Sequence, residues 1–134
     1  MSAVSPVSAG MVGYQYVTLR CVPRVDREEF LNVGVVLYSQ AADFLEGAFD
    51  LDRERLRAAF PDLEVDAVDA SLAAICRVCR GEPGVGLPTL DKPGQRFGWL
   101  SAPRSTVIQP GPVHGGLTKD PASELQRLVR ALVN

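Results

Sequence analysis

A chain of 134 residues, 46% hydrophobic and 22% charged, has the make-up of one globular domain that buries a core without disulfide or metal staples. Its 14 basic and 16 acidic residues leave a net charge of −2 with histidine neutral, which gives no footprint for sequence-independent nucleic-acid binding. No apolar run approaches the roughly 18 residues of a membrane span. Residues 1–13 lack the basic and apolar regions of a signal peptide, and three cysteines, an odd number, argue against a secreted disulfide framework, so a cytoplasmic setting is expected.

Residues 1–12 read as a disordered tail ahead of a single α+β domain over 13–134. Over 14–22, Val17, Leu19 and Cys21 alternate with Tyr16, Thr18 and Arg20. This predicts a strand with one buried face, and Pro23 ends it because proline has no N–H for a ladder. Asp26 and Glu29 have the spacing of a capping box for one helical turn over 26–31. The apolar run 33–39 predicts a central strand covered on both faces, with Gly34 marking a bulge or a close backbone approach. A third strand over 43–50 follows a short hairpin around Gln40–Ala42 and completes a meander.

Helices are expected over 52–60 and 66–80. The first starts after Asp50 and Asp52 and stops before Pro61; the second carries Val68, Leu72, Ile75, Cys76 and Cys79 on one stripe and ends at Gly81. Proline and glycine make 81–95 a loop. Phe97, Trp99 and Leu100 open a second apolar segment over 96–110 with a fourth strand near 105–109, and 110–119 read as a Gly/Pro-rich connection. The last helix has Asp120 as N-cap and Pro121 at its first position, followed by Leu125, Leu128, Val129, Leu132 and Val133 at helical spacing. The expected fold is α+β: a small antiparallel sheet of about four strands with helices packed on one face.

Cys76-x-x-Cys79 has the spacing of a redox or metal motif. Both thiols, however, fall in the last turns of a helix and on its apolar stripe, where the helix dipole disfavours thiolate. Zinc needs two more ligands, and only Cys21 and His114 remain as soft candidates, so the pair reads as core thiols with no metal and no cofactor. The stretch Gly111–Lys119 precedes a helix but lacks Walker spacing, so it reads as a structural turn and not a phosphate site. His114 is the only histidine, and no GxSxG elbow ties a nucleophile to it. The carboxylates cluster at strand ends and helix starts, where capping explains them. The basic residues are mostly arginine, which suits bidentate recognition of carboxylate or phosphate.

Two stretches carry a family resemblance. Tyr14-x-Tyr16-x-x-Leu19-Arg20-x-Val22-Pro23 followed by Glu29-x-x-Asn32-Val33-Gly34-Val35 resembles the start of the small bacterial domain of unknown function 3037 family. Phe97-x-Trp99-Leu100-x-x-Pro103-Arg104-Ser105-x-x-x-Gln109, then His114-x-Gly116 and the Asp120-led helix, resembles its end, so the likeness spans about 14–133. The resemblance implies no activity and no catalytic residue. It implies a protein partner, a HipA-like kinase, because members are often encoded beside such kinases, a toxin–antitoxin-like pairing known by association and not by physics.

The leading expectation is a non-enzymatic binding module, the small partner or regulator of such a kinase. The alternative is an enzyme acting on a phosphate-bearing or nucleic-acid substrate through Arg20, Arg24, Arg104 and His114; a third is a nucleotide-sensing regulator. Alternation puts Arg20 on the non-core face of the first strand, and Arg24 and Asn32 at one end of the meander. Arg104, Ser105, Gln109 and His114 flank the fourth strand. Arg20 or Arg24 is expected to approach Arg104 or His114, forming one surface for a phosphate, a carboxylate or an acidic partner side chain. The competing expectation is that these arginines pair with Glu28, Glu29 and other surface carboxylates.

Overall fold

The computed structural model describes residues 10–84, 86–104 and 106–133. In chain order the elements are β1 (Val12–Cys21), a 3-10 turn (Val25–Arg27), β2 (Leu31–Ser39), β3 (Phe44–Phe49), α1 (Arg53–Ala59), α2 (Val65–Arg80), α3 (Pro93–Ser101), β4 (Ile108–Pro110), β5 (His114–Thr118) and α4 (Pro121–Leu132). The α+β class and the antiparallel sheet are as the pattern predicts. The sheet runs β3-β2-β1-β4, with β5 also on β1. β4 pairs with Leu19–Cys21 and β5 with Val12–Tyr16, so the two are pieces of one interrupted edge strand lying along β1. β1 therefore starts inside the expected tail, because Val12 already pairs with Thr118; residues 1–9 of that tail lie outside the described residues.

Both faces of the sheet are apolar, and each has its own core. Val17, Leu19, Cys21 and Val36 pack with Leu56, Val68, Leu72, Ile75, Phe97 and Leu100 of the first three helices. Tyr14, Val35 and Leu37 face the other way and pack with Leu125 and Leu128 of α4. The single helical layer expected is thus two layers, α1–α3 on one face and α4 on the other. The reason lies in β2: Val35, Val36 and Leu37 are fully buried in succession, so both sides of the strand need cover.

Gly34 makes the close approach its position predicts. A Cβ there would lie 2.9 Å from the Ala48 carbonyl oxygen and 3.0 Å from the Phe49 Cβ. The register also slips beside it: Leu19 pairs with Gly34 but Arg20 with Asn32, leaving Val33 as the extra residue of a bulge. That bulge keeps Val33 in the core while Asn32 joins Arg20 on the α4 face.

Two elements differ from the sequence expectation. Pro93–Ser101, expected as loop and apolar segment, is a helix with Pro93 in its first turn and Phe97 and Leu100 buried. Gly94 and Gly98 dilute its helical signal and its nine residues are too few for a clear period. His114–Thr118, expected within a connection, is a strand. Gly115 and Gly116 carry no strand propensity, and pairing along β1 decides their conformation. The capping-box turn is also different: Asp26 takes the Arg24 guanidinium, not a helix N–H. The other ends follow their signals. Asp52 accepts from the Arg55 N–H, Asp120 from the Ala122 and Ser123 N–H groups, and Gly81 closes α2 at φ 70°. Among the described residues, no helix is long and apolar enough to cross a membrane.

Candidate functional site: the open strip of the sheet

α4 sits over β2 and β3, meeting Val35, Leu37, Phe44 and Ala48. Further out on the same face, β1 and β4 carry half-buried polar residues, Thr18, Arg20 and Gln109. Arg20 is in register with Asn32 on β2 and with Gln109 on β4, so these three form one row across three strands. Asn32 fixes the row against α4, its Nδ2 donating to the Leu132 carbonyl at 3.0 Å. Gln109 donates from Nε2 to the Thr106 carbonyl at 3.1 Å.

Arg20 is the centre of this row. Its Cζ lies 4.3 Å over the ring of Phe30, which is itself 42% exposed. Its Nε is buried and meets no hydrogen-bond acceptor. The chain between β4 and β5 closes over it at Gly111, whose N–H donates to the Thr18 carbonyl at 2.8 Å. Glycine leaves room for this: a Cβ at 111 would lie 2.6 Å from Thr18 Oγ1 and 3.1 Å from Arg20 Nε, so a larger residue would displace those side chains. Among the described residues, no carboxylate pairs with Arg20, whereas Arg24, Arg27, Arg53, Arg80 and Arg127 each hold one.

His114 shares this face. It is in register with Tyr16 and its ring stacks on the Tyr16 ring, centroids 5.3 Å apart. Tyr16 and Arg20 are four positions apart on β1, about 13 Å of backbone at the ordinary strand rise, so His114 and Arg20 mark two ends of one strip.

The other expected members lie elsewhere. Arg104 stacks its Cζ 4.2 Å over the Trp99 ring and donates from Nη2 to the Trp99 carbonyl. It borders a small cavity of about 180 Å³ with Ile75, Val78 and Leu87, on the α1–α3 side of the sheet. Burial there pushes its pKa down. Arg24 pairs with Asp26 at 2.8 Å on the rim of a groove of about 310 Å³ floored by Pro23, Phe60, Leu63 and Val107. The surface-pairing expectation describes Arg24, with Asp26 as its partner, and the neighbouring Arg27 is held by Glu29. Arg20 and Arg104 are therefore on opposite sides of the sheet. Ser105 lies outside the described residues.

Sequence reasoning missed three participants. Phe30 and Gly111 shape the Arg20 site, and only the folded contact reveals them. The third is a polar cluster under α4: Tyr14 Oη donates to Glu124, which also accepts from Arg127 Nε at 2.6 Å and Nη2 at 2.8 Å. Burial, and then the Glu124 carboxylate, push Tyr14 up to about 12, while Arg127 holds Glu124 below the usual carboxylate value. Gly116 makes room for it, since a Cβ there would lie 2.6 Å from Tyr14 Oη. Tyr14 and Gly116 both stand in the quoted motifs, but their partner is 110 residues from Tyr14 and no spacing rule reaches it.

Cys21 and Cys79 are core residues, and Cys76 is half-buried beside them. Cys76 and Cys79 both point at β3, each Sγ 3.5 Å from where a Gly47 Cβ would sit. All three thiols are free, and burial pushes each one up, Cys21 to about 11 and Cys79 to about 12.

The fold and this geometry define a class: an antiparallel α+β domain helical on both faces, with a polar–aromatic strip on one that no described helix covers. The chain belongs to the family described as Protein of unknown function (DUF3037), which it matches over residues 16–133. No curated protein and no solved structure matches it.

Proposed function

We propose that this domain is a non-enzymatic binding module that engages a protein partner through the open strip of β1, β4 and β5. The observation that carries this reading is the half-covered sheet face. There Arg20 lies on Phe30 and His114 on Tyr16, four planar groups held by strands and their flanking turns beside α4. Aromatic and arginine side chains on a rigid support are the residue types that concentrate binding energy at protein interfaces. A HipA-like kinase is the first partner to test, being the one the family resemblance implies. The enzyme alternative needs Arg20, Arg24, Arg104 and His114 in one place; Arg24 and Arg104 are engaged by Asp26 and Trp99 instead, which leaves it less support.

The test is coexpression with a HipA-like kinase from the same genome, followed by gel filtration at micromolar concentration. A single coeluting species is expected, weakened by the paired substitutions Phe30→Ser and His114→Ser and unaffected by Arg55→Ala, which lies on α1 away from the strip. Independent elution of the two proteins counts against the kinase as partner.

A further inference from the structure

We infer that Arg20 is the anchor of this strip and that its ligand is a carboxylate of an acidic segment on the partner; the inference rests on the binding-module reading.

A guanidinium stays charged at any ordinary pH, and a charge half removed from water is unfavourable unless something compensates it. The Phe30 ring supplies part of that compensation through its face. No carboxylate among the described residues supplies the rest. The side chain is also oriented. Nε is turned inward under Gly111 and buried, while the two Nη nitrogens are not among the buried unpartnered atoms. The fork that remains open is the Nη1–Nη2 end. That end presents two parallel N–H groups, which match the two oxygens of a planar carboxylate.

The count of charges selects carboxylate over phosphate. The neighbours of Arg20 in the row, Asn32 and Gln109, are neutral, and so is Thr18 beside it. His114 sits four positions along the strand, about 13 Å by backbone rise, with its ring stacked on Tyr16. One cation suits one negative charge; a phosphate dianion is better matched where several cations or backbone N–H groups converge. An acidic side chain arriving along the strip would meet Arg20 at its base, with Phe30 packing against the chain that carries it.

The experiment is an NMR titration of the intact protein with a hexaglutamate peptide, following the Arg20 Nε–H and the Gln109 side-chain amide. Hexaglutamine and inorganic phosphate are the comparison probes. Saturable shifts at Arg20 are expected with hexaglutamate, none with hexaglutamine, and at least tenfold weaker binding with phosphate. Arg20→Gln should weaken hexaglutamate at least tenfold, and Arg20→Lys by an intermediate factor, because lysine keeps the charge but loses the fork. The inference is overturned if hexaglutamate gives no saturable shift at Arg20, if phosphate binds as well, or if Arg20→Gln binds equally. Should Arg20→Gln misfold, the wild-type titration still decides, because it reads Arg20 directly. The two readings fail separately. A kinase complex indifferent to Arg20→Gln removes the anchor and keeps the module; hexaglutamate binding without a kinase complex removes the kinase and keeps the anchor.

Discussion

One glycine and one tyrosine show how single positions constrain this chain. Gly116 exists so that Tyr14 can reach Glu124, since a Cβ would stand 2.6 Å from the hydroxyl. Gly116→Ala is therefore expected to destabilise by about 1–3 kcal/mol, the range for overpacking, in urea unfolding. Tyr14→Phe keeps the ring and removes one hydrogen bond, so its loss should be nearer 1 kcal/mol. The pH dependence has a definite sign. Tyr14 is raised in the folded state to about 12 from an unfolded value near 10, so its contribution is complete below pH 10 and is lost as pH rises toward 12. The buried thiols Cys21 and Cys79 add to the same alkaline loss, beginning nearer pH 9. Glu124 is lowered, so its contribution is present above the unfolded carboxyl value and is lost as pH falls through its folded value. Tyr14→Phe should flatten the alkaline limb between pH 10 and 12, and Glu124→Gln the acid limb, in thermal melts across pH. Thiol titration at pH 8 offers a separate check: raised thiols should react slowly in the native protein and all three at once in denaturant, with half-buried Cys76 the fastest of them.

Among the described elements, α4 alone packs on its face of the sheet. Asp120 caps it, accepting from the Ala122 N–H at 3.1 Å and the Ser123 N–H at 3.3 Å, and Leu125 and Leu128 close the core beneath it. Leu125→Ala should cost about 2–5 kcal/mol by leaving a cavity against Val35 and Leu37, and Asp120→Ala distinctly less, both read from chemical denaturation. α4 was legible in the sequence because cap, proline and five apolar positions all agree. The strands β1, β2 and β3 were legible from alternation, a continuous apolar run and turn residues. α3 and β5 were not. A nine-residue helix with two glycines offers no dependable period, and a strand containing Gly115-Gly116 offers no propensity, so each takes its form from what it packs on or pairs with.

In the molecule as a whole, the two cores meet through shared strands. Val17 and Val36 face α1–α3 while Tyr14, Val35 and Leu37 face α4, so β1 and β2 belong to both. Neither core can open without disturbing strands that support the other. Unfolding should therefore be a single transition even in variants aimed at one core, Leu72→Ala on one side and Leu125→Ala on the other. Trp99, the only tryptophan, packs against the α1–α3 core and far-UV circular dichroism reports the whole chain, so their midpoints should coincide in both variants. An earlier midpoint by circular dichroism in Leu125→Ala would mean that α4 detaches on its own. Among the described residues the same arrangement leaves the strip without a helix: α4, laid over β2 and β3, is too narrow to reach the β4–β5 edge.

The amino-acid sequence by itself determined the antiparallel α+β class, the central place of β2, the helix ends at Asp52, Gly81 and Asp120, the core position of Cys79, and the non-core face of Arg20. These are local properties, set by periodicity and by capping chemistry. Tertiary structure alone decided that α4 crosses to the opposite face and that Arg20 lines up with Asn32 and Gln109. It also decided that Arg104 turns away to Trp99, and that Tyr14 meets Glu124. Those are contacts between residues far apart in the chain. Their energies come from surfaces that exist only once the sheet has formed, so a pattern read along the sequence has no means of ranking them.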